Sequence, residues 1–591
     1  MPSIQTPDGR TVYLPGTYIS LRVASSSPGP LPNFHVPVLM APAFEGHPYN
    51  ADATRLAVEP KLSPFREVRT ASIAAAYYGT GSAMDRAMIW AKRHGLPLAF
   101  ATCLSPLTRA AIIVEAAASV EQFTFYPRKY GAPGNWPKIL WNGSTNLLEI
   151  TPVKRFAMVA ANIGASDIRI QVVGEHGWLV KGATVQISAN GSTPVARAIT
   201  KVIKERQSDG QYAYFIEVTS APGALTTANY AIVFQWDETH KETYAGLTDC
   251  QDIIDTVNAQ SEILWAVKHA NFTNADPVNV STATALNAIS AWGTVTAGTS
   301  PAHTDADVTA FIALMNAEAY GDFAADRGLL PQAYYLASSD RSQHEAMRDY
   351  AEAEATRGFP ISVMSGVGWG DHVLDAGDDT DPLFRAASLD SDYFGIAAPG
   401  LDGEPAYLSL GPAAWARRIE GGVGHNLTAD RLIFTELERQ WDEINSGELT
   451  SLTRGGVVTV RLILGQNFRW GIAQGVSTLQ ANEGLIWNVS DGTTWSFHQR
   501  DLADFINRVV YHDFEEFLIG EDEVDRNSVA STLNRRVDLS LARRNYIKPN
   551  TFRITSLERN SAGSGWDLRW QATPRELTDY ITAELTVVVG E

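Results

Sequence analysis

Apolar and polar positions alternate near both ends of the chain. In Tyr18-Ile-Ser-Leu-Arg-Val23, Ile19, Leu21 and Val23 share one face while Tyr18, Ser20 and Arg22 share the other. That is the period of a half-buried strand. Ile581-Thr-Ala-Glu-Leu-Thr-Val-Val-Val589 repeats the pattern, with Ile581, Ala583, Leu585, Val587 and Val589 on one side. The first strand runs into Ser25-Ser-Ser-Pro-Gly-Pro-Leu-Pro32. Its prolines hold it extended at ~3.1 Å per residue, a tether on the order of 25 Å. Ala572-Thr-Pro-Arg-Glu-Leu-Thr-Asp-Tyr580 precedes the last strand. The chain therefore carries two one-sided strands on leashes. They can fold back on their own domain as edge strands or be donated to a neighbouring molecule. A donated six-residue strand gains ~1 kcal/mol per ladder bond and ~1.5–3 per buried apolar side chain, against ~1–2 per ordered residue. One arm is near break-even, and several arms in a lattice hold firmly through effective concentration.

Between these ends the pattern predicts strands and helices in alternation. His35–Ala41 and Leu96–Cys103 read as buried strands around a helix Ser82–Arg93, with Ser82 as N-cap and Gly95 beyond its end. From 147 to 236 short alternating strands recur at 167–173, 183–188, 212–219 and 230–236, separated by turns such as Asn190-Gly191 and Asp209-Gly210. They predict an all-β unit, sandwich or small barrel, inserted in an α/β region. Helices at 305–319, 340–357 and 412–420 alternate with strands at 332–337, 360–364 and 393–398, implying a layered α/β core. The last part predicts a strand 457–464, helices 501–518 and 528–543, and a hairpin of Thr551–Leu557 with Trp566–Ala572 around Ser561-Ala-Gly-Ser-Gly565.

Composition narrows the function classes. A chain of 591 residues, 45% hydrophobic, holds several cores, about four at ~150 residues each. Lys+Arg 47 against Asp+Glu 66 gives a net charge of −19, which opposes nonspecific binding to nucleic acid or anionic membrane. Two cysteines, Cys103 and Cys250, exclude a disulfide scaffold. No apolar stretch reaches the ~18 residues of a membrane span, and the opening residues lack a signal-peptide pattern, so the expectation is a protein made and kept in a reducing cytoplasm.

Catalytic motifs are weak. Gly79-Thr-Gly-Ser-Ala-Met-Asp85 half-matches a dinucleotide loop, but Met84 stands at the third glycine position. His344-Glu-Ala-Met-Arg348 lacks the second histidine of a zinc motif, and Asp375-Ala-Gly-Asp-Asp-Thr-Asp381 does not have calcium-loop spacing. Neither a phosphate-binding lysine loop nor Gly-x-Ser-x-Gly occurs. The expectation is no enzyme, no cofactor, no metal and no catalytic residue. A hydrolase assembled from distant residues is the alternative from another class.

The order of short motifs resembles the tail sheath proteins of contractile-tailed phages, with the Mu-like branch as a possible position. Leu14-Pro-Gly-Thr-Tyr-Ile19 is similar to the family's arm. Val36-Pro-Val-Leu-Met40, Tyr78-Gly-Thr-Gly-Ser-Ala-Met84, Gly131-Ala-Pro-Gly-Asn-Trp136, Arg469-Trp-Gly-Ile-Ala-Gln-Gly-Val-Ser-Thr-Leu479 and Asn534-Arg-Arg-Val-Asp-Leu-Ser-Leu541 follow in the family's order. The loop Trp487–Trp495 departs from the pattern and has no assigned role.

The resemblance implies an α+β multidomain fold: a layered α/β sheath core, an inserted all-β domain and extended N- and C-terminal arms. The implied division is an arm and linker 1–33, core parts 34–146 and 241–430 around an outer β unit 147–240, an inner C-terminal domain 431–580 and an arm 581–591. It implies a structural subunit, polymerised as stacked hexameric rings around the tail tube, with baseplate and tail terminator proteins as partners. Direct nucleic-acid contact and membrane insertion are not implied. Its place would be the virion tail, after assembly in the host cytoplasm. The sheath of a bacteriocin-like particle or injection system is the close alternative. The arm faces are Tyr18, Ile19, Leu21, Val23, Ile581, Leu585, Val587 and Val589. The receiving sheet is Phe552, Ile554, Leu568 and Trp570. The tube-facing part is placed at the end of helix 501–518 with Glu521-Asp-Glu-Val-Asp525, where a plain exposed acidic loop is the alternative.

Overall fold

A computed structural model describes residues 4–5, 11–12, 36–51, 55–59, 65–116, 119–315, 332–356, 360–371, 377–422, 425–438, 446–463, 469–479, 496–497, 500–506, 509, 526–543, 546–559 and 566–573. The arm strands 18–23 and 581–589, the tether 25–32, the loop 487–495 and the acidic run 521–525 lie outside them.

The strands rich in fully buried residues meet in one seven-stranded sheet. Its order is Val457–Val458, Phe394–Ala397, Ser362–Gly366, Ala333–Leu336, Pro37–Ala41, Ala99–Cys103 and Arg66–Val68. All pairings are parallel except the edge strand Arg66–Val68. Parallel strands need crossovers, which place helices on both faces. Successive side chains sort accordingly. Val38, Met40, Tyr334, Val363 and Phe394 pack with Phe311, Met347 and Leu389 of helices Asp305–Leu314, Arg341–Thr356 and Pro382–Leu389. Leu39, Ala41, Tyr335 and Met364 pack with Met88, Trp90 and Trp415 of helices Ala83–Arg93 and Leu410–Gly421.

Two antiparallel sheets interrupt this layer. One has the order Leu264–Lys268, Val120–Pro127, Ala111–Ala116, Val295–Thr296, and the other Glu242–Ala245, Leu147–Thr151, Lys138–Asn142, Val280–Ala285. Ile112 and Phe125 of the first share a core with Ile139 and Leu148 of the second and with Ile253 and Val257 of helix Cys250–Gln260.

Between Leu147–Thr151 and Glu242–Ala245 the chain makes a six-stranded antiparallel sheet. Its order is Val153–Met158, Ile232–Trp236, Thr184–Ser188, Val195–Arg206, Tyr212–Val218, Arg169–Val172. The two outer strands meet beyond their ends: the Ala160 amide donates to the Gln171 carbonyl and Val173 to Met158, both at 2.9 Å. The sheet thus closes into a small barrel around Val185, Ile187, Ile216 and Val233. Closure removes exposed edges.

The strand read over 457–464 is two elements. Val457–Val458 joins the central sheet, while Val460–Ile463 pairs antiparallel with Arg469–Ile472. Helix Arg526–Arg543 and hairpin Arg553–Arg559/Trp566–Gln571 follow.

Candidate intersubunit site

The hairpin is a two-stranded sheet with one apolar face. Phe552 and Leu557 are buried, and Phe552 stacks on Trp570 with ring centroids 5.8 Å apart. Ile554 and Trp570 pack against a core of Phe505, Ile506, Val537, Leu541 and Ile547. Arg553, Thr555, Arg569 and Gln571 point the other way and are exposed. Of the predicted receiving residues, Phe552, Ile554 and Trp570 therefore share one side, and Leu568 pairs with Leu557 across the ladder. Among the described residues no third strand joins this sheet. The predicted donor residues Tyr18, Ile19, Leu21, Val23, Ile581, Leu585, Val587 and Val589 lie outside the described residues.

Helix Arg526–Arg543 is clasped to the hairpin by two residues four apart. Asp538 accepts hydrogen bonds from the amides of Asn550 (2.9 Å) and Phe552 (3.1 Å), and Asn534 from that of Ile554 (2.7 Å). Both lie in the Asn534–Leu541 motif, but composition alone did not mark them. The available signal was the helix itself: Asn and Asp compete with helical backbone bonding, so two of them mid-helix need an outside partner.

The unit is anchored to the α/β layer by a buried ion pair. Arg418, on helix Leu410–Gly421, is 1% exposed and grips Asp501 with two nitrogens, Nε to Oδ2 being 2.7 Å. Its guanidinium lies 4.1 Å over the Phe497 ring. Beside it Arg500 pairs with Asp504 and, at 3.0 Å, with Asp392.

The other singled-out motifs have structural uses. Gly79 and Gly81 have φ of +90° and +82°, and a Cβ there would lie 2.8 Å from Phe156 and 2.6 Å from the Val173 carbonyl. These glycines admit the barrel's close approach. Ser82 caps the following helix by accepting from the Asp85 amide. In the acidic loop, Asp381 caps helix Pro382–Leu389 and Asp379 pairs with Arg341. Asn135, fully buried, bonds the Gly298 amide (2.7 Å), the Gly298 carbonyl (3.0 Å) and Asn190 (2.6 Å), tying the paired sheets to the barrel. His344 contacts Ser365 at 2.9 Å, but both side chains are wholly buried and bond local carbonyls. Burial holds His344 neutral, its pKa lowered to about 4. Burial pushes the thiols of Cys103 and Cys250 up to about 12. Among the described residues no group of His, Cys, Asp and Glu could hold a metal ion, and no helix is long and apolar enough to cross a membrane.

A cleft of about 330 Å³ separates the barrel from the α/β layer. Arg86–Glu404 and Lys204–Glu175 pairs line it. Asp85 lines it too, and burial raises its pKa to about 6.

No family model and no curated protein matches the sequence. Solved structures do. The chain is similar to the sheath tail protein Lin1278 from Listeria innocua, at 10% identity and a TM-score of 0.47 over 93% of each chain. It is also similar to the helical sheath of the anti-feeding prophage in its contracted state, at 11% identity and a TM-score of 0.34 over 49% of this chain and 77% of that one. A chain of the same particle's baseplate gives 10% identity and a TM-score of 0.34 over 50% and 76%.

Proposed function

We propose that this chain is the structural subunit of a contractile tail sheath. Copies polymerise around an inner tube. On triggering at the baseplate they repack into a shorter, wider sleeve that drives the tube through the host envelope during genome ejection. The observation that carries the reading is the hairpin Arg553–Arg559/Trp566–Gln571, a one-faced sheet of two strands, in a chain with a one-sided strand pattern near each end. A two-stranded sheet is marginal alone and gains from further strands. The arms of neighbouring copies, Ile19, Leu21 and Val23 or Ile581, Leu585, Val587 and Val589, supply strands of matching one-sidedness. The order of sheath-like motifs along the chain supports the same reading.

Contraction then needs two packings of the same rigid bodies separated by a barrier. Donated arms keep neighbours connected while those bodies rotate. The free energy is stored at assembly, so the role is structural rather than catalytic. Tube, baseplate and terminator proteins are the partners, and the barrel faces outward, where its bulk does not obstruct stacking.

Removing residues 1–24 tests the reading. The truncated chain is expected to keep the circular dichroism and melting temperature of the intact protein but to form no polymers by electron microscopy. Normal polymers from the truncated chain refute N-terminal donation.

A further inference from the structure

We propose that a cleft between the barrel, helix Ala71–Tyr78 and the paired antiparallel sheets is a binding site for a small dianionic ligand with an apolar ring, its charge held by Arg128, Lys154 and Arg155. The site is remote in sequence from the C-terminal hairpin and does not depend on the sheath reading.

The cleft measures about 400 Å³, within the range of small-molecule sites. Every residue lining it lies in the described spans 36–51, 65–116 and 119–315. Successive side chains of a strand point to opposite faces, so Lys154 and Arg155 would ordinarily part. A β-bulge in the barrel's first strand changes this. Val153 is opposite Trp236 and Arg155 is opposite Gln235, which leaves Lys154 as the extra residue. Bulges re-aim side chains, and here Lys154 and Arg155 both line the cleft. Arg128 and Lys129, directly after strand Val120–Pro127, line it from the paired sheets.

These cations are short of counterions. Lys129 pairs with Glu45 at 3.0 Å. Lys154 comes only within 4.0 Å of Asp237, which already accepts hydrogen bonds from Thr239 and His240. Among the described residues neither Arg128 nor Arg155 makes an ion pair. The Arg128 guanidinium lies 3.4 Å over the Trp265 ring, its Nη2 reaches the Asn258 carbonyl at 3.5 Å, and its enclosed Nε has no partner. Four cations against two carboxylates, Glu45 and Glu262, leave two positive charges in this cleft of a chain whose net charge is −19. A partly desolvated charge without a counterion is costly, and a bound anion relieves it. Guanidinium groups match two oxygens of a phosphate or carboxylate at once. The rest of the wall includes Pro127, Pro152, Phe156 and Trp178, against which a ring can bury its surface. Two spare charges beside an apolar wall select an aryl dianion, either a phosphate monoester or a dicarboxylate.

Equilibrium dialysis of the full chain near neutral pH and at low salt tests the site. The probes are phenyl phosphate and phthalate, with phenol and inorganic phosphate as the separate halves of the first. At least one aryl dianion is expected to bind at least tenfold more tightly than phenol or inorganic phosphate, and which one binds distinguishes the phosphoryl from the dicarboxylate source. Lys154→Gln combined with Arg155→Gln is expected to weaken that binding at least tenfold while leaving the circular dichroism of the protein unchanged. Arg169→Gln, which removes an exposed barrel arginine paired with Glu205 outside the cleft, is expected to bind as the wild type does. Inorganic phosphate binding as tightly as the aryl dianions, unchanged binding in the Lys154/Arg155 variant, equal loss in Arg169→Gln, or no binding of either aryl dianion overturns the proposal. The assay needs no polymer, so failure of the sheath reading leaves its outcome standing.

Discussion

The Arg418–Asp501 pair is a buried, two-pronged contact between the α/β layer and the C-terminal unit, and Asp501→Ala is a sharp perturbation of it. Arg418 is 1% exposed and Asp501 is 3% exposed, so removing the carboxylate strands a guanidinium with no route to water. The Nη1 atom of Arg418 already lacks a partner, so no slack exists to absorb the loss. Breaking one side of such a buried pair costs ~3–5 kcal/mol. Replacing both partners by apolar residues, Arg418→Met with Asp501→Leu, removes the desolvation penalty together with the attraction. That exchange is expected to cost less than ~1 kcal/mol. In a multi-unit chain a single unfolding free energy is poorly defined, so local hydrogen exchange is the appropriate assay. Amides over 500–506, which are helical, should lose protection on the order of 10²- to 10³-fold in Asp501→Ala. They should recover most of it in the double variant. Protection that falls less than ~10-fold in the single variant, or equally in both, would refute the argument that desolvation of Arg418 dominates.

Two further outcomes follow from buried polar groups. His47, His94 and His344 are each lowered to about 4, desolvation being the main cause, against about 6.5 when unfolded. The stability they contribute is complete above pH 6.5 and is lost as pH falls toward 4, at ~1.4 kcal/mol per unit of difference for each. Asp85, raised to about 6, works in the opposite sense and offsets about one of them. The melting temperature should therefore fall between pH 7 and 4.5, and a flat or rising profile would contradict this. Asn135→Ala leaves the buried Gly298 amide unbonded at a cost of ~1–3 kcal/mol, read as earlier proteolytic release of the barrel with the central sheet unchanged.

Legibility in the sequence tracked burial. Strands buried on both faces, such as Pro37–Ala41 and Phe394–Ala397, and helices with clear caps, such as Ala83–Arg93, fall within a few residues of their predicted bounds. The longest strand among the described residues, Val195–Arg206, was missed because Lys201, Lys204, Glu205 and Arg206 stay exposed and break any apolar alternation. No element was assigned between 104 and 146, although three strands lie there, because several of their partners, such as Leu264–Lys268 and Val280–Ala285, are more than 100 residues away. The hairpin was legible from Gly-Ser-rich turn residues between two alternating runs. Its clasp was not, since a side chain reaching for a distant backbone amide leaves no periodic trace.

Residues 153–236 leave and rejoin the rest of the molecule through immediate neighbours: Val153 pairs with Trp236, and just outside them Ile150 pairs with Glu242. The barrel's covalent connections thus run side by side, although it also packs on the α/β layer through Phe156 and on Trp136 through Phe234. An unrelated module whose own ends sit one strand apart keeps the register of the stem if it also covers Trp136 and Ala285, which the barrel's Phe156 and Phe234 now bury. That makes this site a natural port for gene-level exchange of one domain for another.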